Sequence, residues 1–334
     1  MGSYEDVKFG FVPPQYPLEL ILETSLYSEK KGLDSIWMAD HTVGIGIKHW
    51  DFFEAWSVLS ALAVQTEKIL LGTCVSDPHR RHPAVLAQTF MTLDHLSKGR
   101  AMLGLGAGEA MNLVPYHIKW NRPVTRLREA AEVIIKLLTE DFSDYKGEFF
   151  HLEKAFIRPR GVQEPHPPIY FGANSPKTMR ICAEMGEGWI PVGTFMKPED
   201  YTAKFEQIKK WAKEAGRDPK KIEPAMFNYM VVAKDYDTAF KLVEFPAKIL
   251  LAGSYNTLKD FGIEPPGMKL DVLHFVFNPD TMMEAAGEVA KMPVEPIEKR
   301  FIFGSPDDCI DKIAKYAEAG VKHFAMALYV PSRL

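Results

Sequence analysis

The chain has 334 residues, 46% of them apolar and 25% charged, an ordinary globular composition that excludes a disordered or collagen-like polymer. Its 40 basic and 44 acidic side chains leave a formal charge of −4, without the basic excess that usually marks a nucleic-acid partner. Three widely spaced cysteines, Cys74, Cys182 and Cys309, argue against a disulfide scaffold and for a reducing, cytoplasmic location. No apolar run reaches the roughly 18 residues of a membrane helix, and the polar start, residues 1–8, is not a signal peptide.

Short β-rich runs alternate with amphipathic stretches. Strands are predicted over 7–12, 35–40 and 69–76, separated by helices over 18–31 and 52–65. Leu70, Leu71 and Val75 sit in a continuous apolar run rather than an alternating one, as in a strand buried on both faces. A proline-led helix over 83–96, a strand over 100–105 and a helix over 125–138 follow. Residues 141–168 read as a hairpin or extended loop. The beat resumes with strands over 169–172, 188–192 and 224–233, helices over 177–185, 198–215 and from 236 onward, and a closing strand over 323–328. Ser305-Pro306-Asp307-Asp308 predicts a capping box opening a helix over 307–319. The stretch 252–279, with Gly253, Gly262, Pro265, Pro266 and Gly267, reads as an insertion packed over one end of the fold. About eight strands interleaved with helices predict a parallel (β/α)8 TIM barrel, an α/β fold in one domain over 1–334; an open doubly wound sheet is the alternative.

In such a barrel the strand C-termini build the site. The second strand ends in Asp40-His41, an acid and an imidazole able to act as a general acid/base pair or to contact a cofactor; a capping aspartate and a satisfied loop histidine would look the same. Cys74, Val75 and Ser76 close the third strand with small or β-branched residues that allow a flat ligand to approach, or a tight turn. No Cys–His motif supports a nucleophilic Cys74. The fourth ends Gly104-Leu105-Gly106-Ala107-Gly108-Glu109-Ala110-Met111-Asn112, whose glycine spacing fails the dinucleotide fingerprint. Its glycines read as sites of close ligand approach, with Glu109 at the barrel mouth, where a partly apolar setting would favour its acid form. Gly172, Ala173, Asn174, Ser175 and Pro176 open a helix whose free N–H groups suit an anion, although an ordinary N-cap explains them equally. No metal-ligand spacing stands out.

These strand ends together resemble the luciferase-like flavin and deazaflavin barrels, and more narrowly their coenzyme F420-dependent branch. The carrying residues are Asp34 to His41, Cys74 to Pro78, Arg80 to Val85, Ala87-Gln88-Thr89, Gly99-Arg100-Ala101, Gly104 to Asn112, Trp120 to Val124 and Gly304 to Asp308. The resemblance covers nearly the whole chain, least in the insertion. It implies a cytoplasmic, homodimeric oxidoreductase moving a hydride between coenzyme F420 and a carbonyl, alcohol or methylene-iminium carbon of a small substrate. Asp40, His41 and Glu109 would be catalytic. Asp40, Cys74, Val75, Ser76, Ala107, Asn112 and Gly172 to Pro176 would hold the cofactor, with a cis peptide at Cys74–Val75. Lys197, Lys259 and Arg300 would map onto substrate-phosphate bases of the glucose-6-phosphate enzymes. Those enzymes carry a tryptophan shortly after their Asp-His, where this chain reads Thr42-Val43-Gly44. The alternatives are an FMN-dependent monooxygenase of the same fold and a non-catalytic flavin- or deazaflavin-binding protein.

Overall fold

The computed structural model describes residues 6–44, 51–264, 276 and 286–328. Eight parallel strands close into a ring: β1 (Lys8–Val12), β2 (Ser35–Met38), β3 (Leu70–Thr73), β4 (Ala101–Leu105), β7 (Ile169–Phe171), β8 (Gly188–Trp189), β9 (Glu223–Val232) and β11 (His323–Leu328). Closure comes from Gly188 pairing with Glu223, and from Lys8 and Ala225 both pairing with His323. The expected barrel is therefore present, and every strand counted from the sequence lies in its wall. One strand was missed: β10 (Ile302–Gly304), three apolar residues paired with Met230–Val232 of β9.

β2 and β4 are buried at every position, and β3, whose apolar run is continuous, at three of its four. The wall helices are α1 (Leu18–Lys30), α2 (Ala55–Ala63), α3 (Pro83–Leu96), α4 (Pro123–Thr139), α5 (Pro176–Met185), α6 (Pro198–Glu214) and α7 (Tyr236–Ala252). The expected box at Ser305 forms, Ser305 Oγ taking the Asp308 N–H and Asp308 the Ser305 N–H, and opens Pro306–Glu318. The polar excursion holds a hairpin, β5 (Ser143–Lys146) and β6 (His151–Ala155), pinned to α4 where Glu129 accepts the N–H groups of Glu148, Phe149 and Phe150. The expected insertion begins with a short helix, Tyr255–Asp260; residues 265–275 and 277–279 of it lie outside the described residues. Inside the ring, Trp37 is fully buried among Val12, Met102, Tyr170, Ile190, Phe227 and Ala325, so the lower barrel is a packed core.

Candidate active site

The loops after β2, β3 and β4 meet above that core. The Cys74–Val75 peptide is cis, as the resemblance implied. Val75 points its side chain at the glycines of neighbouring strands. A Cβ on Gly106 would come within 2.5 Å of a Val75 methyl, and one on Gly172 within 3.2 Å of both. The missing side chains of Gly106 and Gly172 make room for Val75. The bulge thereby presents Cys74 and Val75, both half-buried, to the mouth. Burial pushes the Cys74 thiol up to about 12, so it stays protonated and is no nucleophile.

Asp40 is 3% exposed, and its carboxylate is already in use. It accepts Ser76 Oγ–H at 2.6 Å and Arg81 Nη1 at 2.8 Å, and pairs with Arg80 Nη1 at 3.2 Å. Arg80 also binds Asp77 through Nε at 2.5 Å and reaches the Asp40 carbonyl and Thr42 Oγ1. Desolvation works to raise the Asp77 pKa, but Arg80 outweighs it and holds that carboxyl below its usual range. These ion pairs tie the β2 loop to the β3 loop. The Asp40 carboxylate is thus committed to holding these loops together. Ser76 is fully buried, donating to Asp40 and accepting from Trp56 Nε1 at 3.2 Å, so its side chain supports the bulge from behind.

His41, Glu109 and Asn112, named from two separate strand ends in the sequence, come together. His41 Nε2 lies 3.7 Å from Glu109 Oε2, with the two side chains 25% and 33% exposed. Buried Asn112 sits between them, its Nδ2 at 3.2 Å from His41 Nδ1 and 3.4 Å from Glu109 Oε2. Its Oδ1 accepts the Thr42 N–H at 2.8 Å. Phe52 stacks on the His41 ring at 5.1 Å. The Ala107 carbonyl accepts from Trp120 Nε1 at 3.2 Å and contacts His79 Nε2 at 3.2 Å, which fixes the loop bearing Glu109.

Tyr229 is the residue the sequence reading missed. It packs with the barrel interior against Phe227, and burial, with the charge of Glu109 and Cys74, pushes its phenol well above its ordinary range. Alternation along β9 from Ala225 and Phe227 was the available signal.

At the expected anion site, Ala173 is fully buried while Asn174 to Lys177 are exposed. The Ala173 carbonyl accepts from Trp189 Nε1 at 2.7 Å. Ser175 and Thr178 form a reciprocal capping box, so the ordinary N-cap reading of Ser175 is realised. Lys197 and Arg300 share a cavity of about 640 Å3 with Lys312, Lys315 and Tyr316. Arg300 is buried, with Nη2 on Asp260 at 2.6 Å and no partner at Nε or Nη1. Lys259 is not among the described lining residues, although Asp260 and Phe261 are.

Among the described residues, no helix is long and apolar enough to cross a membrane. The chain is 31% identical to a 5,10-methylenetetrahydromethanopterin reductase of Archaeoglobus fulgidus over 94% of its length and 91% of the relative's. It is 27% identical to a phthiodiolone/phenolphthiodiolone dimycocerosates ketoreductase of Mycobacterium bovis, over 96% and 91%. An F420-dependent secondary alcohol dehydrogenase, solved with an F420–acetone adduct, superposes with a TM-score of 0.82 at 27% identity, covering 96% of this chain and 93% of that one. The coenzyme F420-dependent tetrahydromethanopterin reductase of Methanopyrus kandleri superposes with 0.78 at 26% identity, over 96% and 93%. Residues 10–323 match the luciferase-like monooxygenase family, and the chain belongs to it.

Proposed function

We propose that this chain is a coenzyme F420-dependent oxidoreductase, acting in the cytoplasm as a homodimer of single-domain subunits. It would transfer a hydride between the deazaflavin and a carbonyl, alcohol or methylene-iminium carbon of a small substrate. The observation that carries the reading is the His41–Asn112–Glu109 cluster beside the open Cys74–Val75 bulge. Its relatives add weight, since an alcohol dehydrogenase and a reductase named for this coenzyme share the fold at 27% and 26% identity.

The residues present fit a flat, polar-edged ring. Cys74 and Val75 offer a half-buried backbone surface, and His41, Asn112 and Glu109 supply hydrogen-bonding groups at its edge. Ala107 and the exposed Asn174 to Pro176 are positioned to serve the remainder of the coenzyme. When bound, the deazaflavin supplies the hydride chemistry. The protein's part is position and proton management. A carbonyl that gains a hydride becomes an alkoxide and needs a proton, and the reverse reaction needs a base at the same place. Glu109 and His41 stand there with a third or less of their side chains exposed. Asp40, clamped by two arginines, keeps the His41 loop in register. The unpartnered Arg300 donors and Lys197 suit an anionic part of a substrate.

The deciding experiment titrates apoprotein separately with coenzyme F420 and with FMN and follows fluorescence quenching. At least tenfold tighter binding of the deazaflavin, about 1.4 kcal/mol, is expected. Equal or inverted affinities would remove the F420 assignment and favour the FMN monooxygenase.

A further inference from the structure

We infer that Asn112 is a positioning residue that sets the tautomer of His41, placing the ring proton on Nε2 and leaving the net proton transfer to Glu109; the catalytic half of this rests on the function proposed above. Oδ1 and Nδ2 of an amide look alike, but here the backbone distinguishes them. The Thr42 N–H, at 2.8 Å, and the Val43 N–H, at 3.5 Å, both point at one Asn112 atom, and only an oxygen can accept them. The other atom is therefore the NH2 group. It has two hydrogens and two neighbours: Glu109 Oε2 at 3.4 Å and His41 Nδ1 at 3.2 Å. A donor facing Nδ1 requires a lone pair there, so the proton sits on Nε2.

The consequence is a division of labour. His41 Nε2–H, 3.7 Å from Glu109 Oε2 and partly open, is a hydrogen-bond donor for the oxygen on the reacting carbon. An additional proton on Nδ1 would be directed at the Asn112 N–H, so the ring is set up to donate from Nε2. In the reducing direction the oxygen then takes its proton from the Glu109 carboxyl, one O–H bond breaking as another forms and a carboxylate remaining. In the oxidising direction the same carboxylate takes it back.

The site's construction favours this arrangement. Asn112 is buried, ends the short helix Ala110–Asn112, and has both ends of its amide committed. Phe52 on the imidazole face limits the ring's rotation.

The test is NMR of apoprotein carrying 15N-labelled histidine, at about pH 8, above the ordinary imidazole range. The His41 signals are assigned by their loss in His41→Gln. In the wild type, Nε2 is expected to carry the proton; a proton on Nδ1 overturns the inference outright. In Asn112→Asp the carboxylate still accepts the Thr42 N–H but can only accept from His41, so the proton should move to Nδ1 and the two ring-nitrogen signals should exchange character. If Nε2 stays protonated in that variant, Asn112 does not set the tautomer. Asn112→Leu, which offers His41 nothing, should give signals averaged between the two forms; an unchanged wild-type pattern there also counts against the inference. No coenzyme is involved in these measurements. A chain that shows the tautomer switch but no F420 turnover would lose its proposed function and keep this role for Asn112.

Discussion

A histidine–glutamate pair at the base of the barrel and another at its mouth differ in what is left over. The pair at the base, His323 and Glu223, stands where strands begin. His323 is fully buried, with Nδ1 3.2 Å from Glu223 Oε2 and Nε2 2.7 Å from Ser35 Oγ. Glu223 also takes Lys8 Nζ at 2.7 Å and the Tyr170 hydroxyl, and Ser35 takes Trp37 Nε1 at 2.8 Å. Every polar atom of that pair has a protein partner. The pair at the mouth, His41 and Glu109, is longer at 3.7 Å, partly open, and bridged by one amide. The same two residue types thus hold strands together in one place and keep uncommitted hydrogen-bonding capacity facing a cleft in the other. Saturation of hydrogen bonds, more than residue identity, separates the structural pair from the chemical one.

Exchanging the charge at each end should give opposite results. Glu109→Gln is expected to lower hydride-transfer turnover by about 10²–10⁴. Its thermal midpoint should stay close to wild type, because a partly exposed side chain with weak partners usually shifts stability by less than about 0.5 kcal/mol. Steady-state rates and a melting curve on the same preparation check both. Near-normal turnover would move the proton role elsewhere, with His41→Ala as the next variant to measure.

Glu223→Gln should do the reverse. Removing one partner of a buried pair leaves the other uncompensated, a loss of about 3–5 kcal/mol. Turnover per folded molecule should barely change. Denaturant unfolding read beside activity would blur the comparison if both fell together.

The basal pair also predicts a pH dependence. Burial works to raise the Glu223 pKa, but hydrogen bonds and charge from His323, Lys8 and Tyr170 outweigh it and bring it from 4.5 down to about 2. A carboxyl whose pKa is lower when folded contributes stability above its unfolded value. That contribution, on the order of 3 kcal/mol, is lost as pH falls from about 4.5 towards 2. The stability gap between wild type and Glu223→Gln should therefore close across that window, which thermal midpoints measured at stepwise pH would show. A gap that stays constant would mean the network's contribution does not depend on the Glu223 charge.

The mouth pair was legible in the sequence because each member sits at a strand end, where the fold class itself says to look. Asp40 was legible as a residue but not in its role: only the structure shows Arg80 and Arg81 folded back onto its carboxylate. The basal pair was not legible, since Glu223 and His323 are 100 residues apart and begin strands rather than end them. β10 escaped because three apolar residues carry no period, and Tyr229 because it lies inside β9, before the strand end where the fold class says to look.

Ser175 gives the smallest effect and the finest division between saturated and spare groups. It lies after β7, the fifth strand of the ring, at the opening of a helix whose free N–H groups suit an anion, so location alone would make it a cofactor residue. Yet its hydroxyl accepts the Thr178 N–H at 3.3 Å, and its own N–H donates to Thr178 Oγ1 at 3.1 Å. By the rule drawn from the two pairs, a side chain so committed is structural wherever it sits. Ser175→Ala should then cost about 1 kcal/mol of stability, the usual value of an N-cap. Coenzyme affinity should change by less than about threefold, which is under 0.7 kcal/mol. Fluorescence titration of the variant decides it. A tenfold or larger loss of affinity would show that the hydroxyl leaves its cap to bind the coenzyme, and that hydrogen-bond saturation seen without a ligand is not enough to tell the two kinds of residue apart.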